Sequence, residues 1–584
     1  MNLHRKVCFK LYIIGIIVII IITGCSNDYS YNSLKEESNK NVKQNGSEIL
    51  INKKYDKPVT IGVVLGYSDS INPKTPKEVT PETATLIKLL KRDLNIEIKY
   101  KWIVSNDQYD AKFTAELEVG NLPDIVQVTK TQFQYLYEQG KLADLTNIYE
   151  KYCNETIKNI TNYDNNIINT GMRGKKIYGL PNVQYSGQQL GQIYYRMDIL
   201  QKAGIEKLPS TIKEFETVCD KLMKIDWDND GIIGEPIIAA SKDYENQLAG
   251  FVPFFMAYST TTKGWYKNEK GVLEYGGINK ELMKPLKKLN EWYTKGYIHS
   301  DFASFDSYTN MNNSNLIKGI INGDYPIVCG SWWVPNYPLN YNVNKTPQAK
   351  WVIGPILSED GRLPEIFVPR YLIDTYTVVS KECDNPEAIF KIMNYTANYE
   401  SKIYNPSYQK NMTEEEKIEY NSYVQNWLPW EVYMPTSIID NYNAINTIID
   451  KGLNEVPNDY IQSNTEFWKA WNSYNEYIKN PSNAISWGMY FSRIAPNGGV
   501  ANMKYLFENA YINYDEVYTC TNTMIKKEKS LKKYQNYIFN KIIMGEVPIE
   551  FFDEYIYEWN IRGGNNIKDE LNTWYQQLNK DVGV

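Results

Sequence analysis

Val59-Thr60-Ile61-Gly62-Val63-Val64-Leu65, a β-branched run closed by Gly66-Tyr67-Ser68-Asp69, opens the stretch whose alternation decides the fold. A short apolar run bounded by a turn signal predicts a buried strand. Thr80-Pro81 then supplies an N-cap and a proline at the first helical position, which predicts a helix through about Leu94. Ile96–Val104 alternates as a second strand. Asp107 onward reads as another helix, ended by Gly120, and Asp124–Val128 as a third strand. Strand, helix and strand in succession imply a parallel sheet covered by helices on both faces, an α/β fold.

Working outward, the 584 residues suffice for several domains or one large two-lobed body. Hydrophobic residues at 43% and charged residues at 23% exclude a wholly disordered or collagen-like chain. The net charge is −6, and the first 24 residues hold three cations (Arg5, Lys6, Lys10) and no acid, so the remainder is more acidic still. Such a body has no general electrostatic attraction for nucleic acid. His4 and His299 are the only histidines, which removes the material for histidine triads and HExxH zinc sites. Cys153, Cys219, Cys329, Cys383 and Cys520 are widely spaced, odd in number and without a CxxC, so they read as buried apolar residues rather than a disulfide framework.

At the N-terminus the same three cations precede the apolar run Leu11–Ile22, too short for an ordinary spanning helix but suited to a signal peptide. Ile22-Thr23-Gly24-Cys25 resembles the bacterial lipobox. That resemblance implies cleavage before Cys25 and attachment of lipid, palmitate included, to its thiol and amine; the alternative is an uncleaved anchor with an incidental cysteine. Either way the body is expected outside the cytoplasm, held at the membrane. Residues 26–56, rich in Ser, Asn, Lys and Glu, read as a solvated tether.

Further along, Gly120-Asn121-Leu122-Pro123-Asp124-Ile125, Leu136 to Gly140 and Leu142-Ala143-Asp144-Leu145-Thr146 stand in an order that resembles the extracellular solute-binding proteins of ABC importers, carbohydrate type. Tyr178-Gly179-Leu180-Pro181, then Ile193-Tyr194-Tyr195-Arg196-Met197-Asp198-Ile199-Leu200, then Leu208-Pro209-Ser210-Thr211 with Glu214-Phe215 continue the match. Phe539 to Asn572 with Trp574-Tyr575 resembles the family's C-terminal helices, so the likeness spans roughly residues 57–580, closest to the long lipoprotein members. It implies a two-lobed periplasmic-binding-protein type II fold with a hinge between the lobes. On that pattern residues 1–24 are the signal peptide, 25–56 the disordered tether, 57–183 lobe I, 184–371 lobe II, 372–432 the second part of lobe I and 433–584 the C-terminal part of lobe II. Pro181 to about Gln189, Phe367–Tyr371 and Trp430–Pro435 would be the crossings, and Thr375–Ser380 a strand rejoining lobe I. Independently of the family, Thr211 and Glu214 form a T-x-x-E capping box, with Ile212, Phe215, Cys219 and Leu222 along one helical face.

Asp226-Trp227-Asp228-Asn229-Asp230-Gly231 follows the D-x-D-x-D-G start of a calcium loop. Calcium takes six to eight hard oxygens, acids at positions one, three and five point inward, and position six needs glycine. Position seven gives a backbone carbonyl, here Ile232, while the EF-hand's closing Glu is replaced by Ile237. The solute-binding family instead closes its loop with acids at positions nine and ten; here these are Gly234, a departure, and Glu235. The expected ligands of a structural Ca²⁺ are thus Asp226, Asp228, Asp230, the Ile232 carbonyl and Glu235, with one water; the bland alternative is an acidic turn.

Sugars offer an apolar face and a rim of hydroxyls, so receptors stack them on aromatics and hydrogen-bond the rim. Gly330-Ser331-Trp332-Trp333 resembles the family's lobe II loop facing the cleft, which makes Trp332 and then Trp333 the expected stacking surfaces, against core packing as the commoner fate of a tryptophan. Tyr67, Tyr185, Gln188 and Gln189 fall at strand ends and the hinge, where open α/β sheets bind ligands. Arg370 is expected either to meet a sugar carboxylate or to make an interlobe ion pair, and Trp430 and Trp487 are weaker candidates. The resulting expectation is a monomeric, lipid-anchored receptor, not an enzyme, that closes on an oligosaccharide and delivers it to ABC permease subunits. A receptor for a non-sugar ligand such as a peptide, and a surface glycan-degrading enzyme with paired carboxylates, are the rivals.

Overall fold

The computed structural model describes residues 50–582, apart from 68–79, 164, 185, 306–313, 405, 415, 418–433, 458–464 and 516. The expected signal peptide, the lipid-anchor Cys25, Tyr185 and Trp430 lie outside the described residues. Among the described residues no helix is long and apolar enough to cross a membrane.

Three sheets of two to four strands organise the two-lobed α/β fold. In the first lobe Val59–Tyr67 runs parallel to Ile96–Ser105, and Leu372–Val379 runs antiparallel to both Ile125–Thr129 and Leu180–Gln184. The expected single parallel sheet is therefore divided into a parallel pair and an antiparallel triplet, whose middle strand returns from the other lobe. Side chains alternate strictly. Ile61, Val63, Ile125 and Val379 enter one cluster, while Val64, Val126, Val378 and Tyr376 enter the cluster on the other face. In the second lobe Gln192–Arg196 lies antiparallel to Ile327–Gly330 and Trp351–Ile353, and Ile327–Gly330 lies parallel to Ile238–Ala239. Ile193, Tyr195 and Cys329 face one cluster, Tyr194 and Val328 the other. A strand covered twice must be apolar throughout, as Ile327–Gly330 is, whereas Ile96–Ser105 is covered on one face and alternates buried Ile96 and Ile98 with exposed Glu97 and Lys99.

The motif residues act as fasteners. Asp124 accepts the Gly62 N–H at 2.6 Å and donates its own N–H to the Gly62 carbonyl at 2.9 Å, clamping the first strand to the third. A Cβ at Gly62 would stand 3.0 Å from that carboxylate, so the strand is bare where the clamp closes. Asp144 caps the helix Thr146–Tyr152 by accepting from the Thr146 N–H and hydroxyl at 3.1 and 2.6 Å. Buried Arg196 grips Asp198 with two bonds of 2.9 and 2.7 Å. In the helix Ile212–Leu222 the Thr211 hydroxyl accepts the Glu214 N–H as expected, but Glu214 reaches back to Ser210, one residue beyond the expected box. Ile212, Phe215, Val218, Cys219 and Leu222 are its buried stripe. The five body cysteines are all buried and unbridged, as expected.

Three differences from the sequence reading follow from packing. The tether was expected to reach residue 56, yet Leu50–Tyr55 is docked: the ammonium of Lys391, a residue 4% exposed, donates to the carbonyls of Leu50, Ile51 and Lys53 at 2.7, 3.2 and 2.7 Å. The helix expected from Pro81 to Leu94 is broken into short turns and ends at Asn95 in the left-handed region (φ 59°). The last crossing lies well past 430–435, because Ile445, Ile448, Phe467, Trp471 and Ile494 still pack in the first-lobe cluster. Trp487 meanwhile packs against the second-lobe cluster of Tyr194 and Val328, the chain joins the larger second-lobe cluster at Cys520, and Ile512–Asp515 pairs in parallel with Ile366–Pro369 as the late crossing strand.

Where these crossings meet, Trp332 is 5% exposed and packs with Leu190, Met256, Val368, Val500 and Met503. The Arg493 guanidinium caps its ring at 4.9 Å, and a Cβ on Gly499 would collide with the Trp332 backbone. The expected stacking floor is thus a hinge-core residue, its faces already taken by protein.

Two substitutions check this architecture. Lys391→Met should leave buried carbonyls unpaired and lower unfolding stability by about 1–3 kcal/mol, read by urea titration. Trp332→Ala should cost about 3–5 kcal/mol by the same measurement, whereas a tryptophan serving only as a ligand platform would leave stability nearly unchanged.

Candidate functional site

Beside the first crossing lies a cavity of about 280 Å³. Gln189 and Gly191 line it from the crossing, and Gly330 and Ser331 from the end of a central second-lobe strand. A tight polar loop, Asp243 to Gly250, forms its floor. That loop is built by local bonds: the Ser241 hydroxyl accepts the Asp243 N–H at 3.1 Å, and the Asp243 carboxylate accepts the Glu245 N–H at 3.2 Å. Ala249 sits at φ 58°, and a Cβ at Gly250 would meet the Asn246 and Tyr244 backbone, so the loop can close only around glycine. The Gln247 carbonyl accepts the Ser331 N–H at 2.8 Å, tying floor to strand end.

Charge enters from three elements. Glu245 accepts the Thr262 hydroxyl at 2.7 Å and faces Lys532, from the helix Asn522–Met544, at 3.2 Å. Burial works to raise the Glu245 pKa, but Lys532, Lys263 and the Thr262 hydroxyl together hold it below the ordinary carboxylate value. Lys263 and Asp243 complete the charged lining. Such a wall of amides, carboxylates and ammoniums can exchange hydrogen bonds with a polar solute around its whole circumference.

The expected ligand residues divide. Gln189 lines the cavity. Trp333 does not, but its indole N–H donates to Gln247 at 3.0 Å and so orients a lining side chain. Gln188 belongs to the short helix Ser186–Gln189 at the crossing, and Tyr67 ends the first strand opposite Ser105. Arg370 lies elsewhere: its guanidinium sits 4.5 Å over the Tyr514 ring, at the paired crossing strands. Trp487 stacks on Phe491 with centroids 5.5 Å apart. Asp243, Glu245, Gln247, Lys263 and Lys532 were missed. The polar run after Ile237–Ala240, at a strand's carboxyl end and before Gly250, was a usable signal; Lys532 sits in a long Lys-rich helix and carries none.

A second cluster lies on the loop that precedes the strand Ile238–Ala239. Asp226, Asp228 and Asp230 each bring a carboxylate oxygen within 4.8 Å of the others. Asn229 (φ 68°), Gly231 (φ 91°) and Gly234 (φ 88°) make the sharp turns, so the glycine noted as a departure at the ninth position serves the backbone. Asp226 accepts the N–H groups of Asn229 and Gly231 at 2.7 and 3.0 Å, which folds the loop around its own acids. Glu235 stands next to this triad with a buried Oε2 that receives no hydrogen bond. Burial, then Asp228, Asp230, Asp324 and Asp226, push its pKa up to about 7. Asp324, from the turn after the helix Asn315–Asn322, is raised by burial and by Asp228. Crowded hard oxygens with an unpartnered buried carboxylate fit a hard divalent cation.

With this geometry in view, comparison is informative. No curated protein matches the sequence. Among solved structures, the alginate-binding protein AlgQ2, determined without calcium ion, aligns over 90% of this chain and 100% of its own at 14% identity and a TM-score of 0.56. The S. pneumoniae ABC-transporter substrate-binding protein FusA, in complex with kestose, aligns over 89% and 100% at 14% identity and a TM-score of 0.58. A solute-binding protein of Bifidobacterium longum infantis, described as binding HMO, gives 89% and 99% coverage, 15% identity and 0.55. At such low identities these superpositions show a shared fold alone. The family model for bacterial extracellular solute-binding proteins matches residues 77–403, more than half of the sequence. The chain therefore belongs to the bacterial extracellular solute-binding proteins.

Proposed function

We propose that this chain is the lipid-anchored receptor of an ABC importer and that its solute is an oligosaccharide. The observation that carries the reading is the hinge cavity, polar around its lining and placed beside a crossing strand of a solute-binding fold. FusA with kestose and the Bifidobacterium protein supply the precedent for oligosaccharide as solute in this fold. Ile22-Thr23-Gly24-Cys25 supports anchorage through Cys25 and an extracytoplasmic body.

Function is binding followed by closure, with no bond made or broken. A solute that touches the hinge and both lobes favours the closed arrangement by the difference in its affinity for the two states, and that arrangement docks on the permease. The lobes we assign are 50–184 with 372–479, and 192–357 with 520–582, joined at 186–191, 366–371 and 512–515, with the helix Ala484–Arg493 packed against both.

The acidic loop is proposed to hold Ca²⁺ through Asp226, Asp228, Asp230, the Ile232 carbonyl and Glu235. One AlgQ2 structure is described as without calcium ion and one FusA structure as an EF-hand mutant, which supports this reading. The ion would neutralise the acids that crowd Glu235 and fix the loop ahead of its strand.

Two measurements test these points. In a thermal-shift screen, an oligosaccharide at a hundred times its Kd should stabilise the protein by about 2.7 kcal/mol and be recovered unaltered; a shift with peptides alone would overturn the sugar assignment. Chelation with EDTA should lower the melting temperature and Ca²⁺ should restore it where Mg²⁺ does not, and Asp228→Asn should blunt that response.

A further inference from the structure

The first-lobe helix Lys130–Glu138 begins with a charge that helices disfavour there. Its cap is reciprocal: the Thr129 hydroxyl accepts the Gln132 N–H at 3.3 Å, and the Gln132 side chain accepts the Thr129 N–H at 2.9 Å. Its first turn holds no acid, however, and its first residue is a lysine, set against the positive end of the helix dipole. The counter-charge comes from the other lobe. The helix Asn522–Met544 packs against Lys130–Glu138, and Glu528 is its one acid beside six lysines. Glu528 is open to solvent, yet the protein around it withholds enough water to raise its pKa, and Lys130 and Lys532 oppose that rise. A carboxylate both wetted and crowded in this way lines a narrow gap, with one wall from each lobe.

The junction continues to the start of the same helix. Cys520 is 5% exposed and belongs to the second-lobe core. Burial pushes its thiol up to about 11; Glu528 adds to that, while Lys130, the Thr131 hydroxyl and Arg173, all from the first lobe, draw it down. Lys130 and Glu528 therefore share a neighbour as well as a gap. Lys130, Thr131, Cys520 and Glu528 stand outside the crossing strands and outside the lining of the hinge cavity. Their contact can join the lobes whether or not a solute fills that cavity.

We infer that Lys130 and Thr131 of the first lobe, with Cys520 and Glu528 of the second, form an interlobe catch that favours the closed arrangement before any solute arrives. The inference rests on the lobe assignment above and is independent of which solute the cavity takes. A catch of this kind raises the fraction of receptor already closed, and with it the apparent affinity for that solute.

Two measurements on the solute-free protein test it. In small-angle X-ray scattering, Lys130→Glu should enlarge the radius of gyration, and adding Glu528→Lys should return it to the wild-type value. Under diamide, which is reduced as it oxidises two thiols, Thr131→Cys should form a disulfide with Cys520, seen by peptide mass mapping and abolished by Cys520→Ser. Absence of that disulfide would place the lobes apart at this point and overturn the catch. A disulfide that forms while Lys130→Glu leaves the radius unchanged would make the contact a fixed part of the joint and overturn it equally. So would a double reversal that fails to restore the radius. Should Lys130→Glu melt early, Glu528→Gln, which removes one charge at a solvent-open position, takes its place with the same expected enlargement. Neither measurement contains a solute, so failure here leaves the receptor reading standing.

Discussion

An indole held beneath a guanidinium, Trp332 under Arg493, sits where the chain passes between lobes, and the rest of the molecule is arranged around that contact. Arg493 is tied in turn to Glu466 at 3.4 Å, and Lys469 reaches the same carboxylate at 3.2 Å. Burial alone would raise the pKa of Glu466; Arg493 and Lys469 keep it below the usual carboxylate value. Glu466 starts a helix whose Phe467 and Trp471 belong to the first-lobe core, while the strand before Trp332 belongs to the second. One short chain of side chains therefore spans both bodies. Nearby, buried Gln192 donates to the Gly499 carbonyl at 2.8 Å, fastening the start of the strand Gln192–Arg196 to the start of the helix Gly499–Asn509.

Much of this was legible because the recurring motif residues are structural fasteners. Gly120, at φ 77°, ends its helix, and Asp124 clamps two strands; Arg196 and Asp198 lock the turn that starts the next helix. Constraints of that sort act between near neighbours, so residue type and spacing announce them. The calcium-type loop was readable for the same reason, since its acids lie on one tight turn.

What stayed hidden depends on distant parts of the chain meeting. Trp332 follows a strand and resembles a cleft loop, but whether its faces are open is settled by Arg493 and Gly499, more than a hundred and fifty residues later. The position of the late crossing is likewise set by which core Ile445 to Ile494 fill, and their amphipathic helices would suit either. Lys391, a lysine in an otherwise apolar helical stretch, gave no hint that it caps the carbonyls of Leu50, Ile51 and Lys53. The cavity joins a loop near residue 245 to a helix near 532, and no local pattern marks such a pairing.

The cavity lining comes from the crossing and the second lobe, with no residue of the first. On the proposed reading, a solute settling there meets all of its first partners before the first lobe closes. Arrival and enclosure would then be successive events: the arrival rate governed by diffusion into an open half-site, the residence time by how long the first lobe stays shut. Changes at the joint would alter the second clock and leave the first running as before.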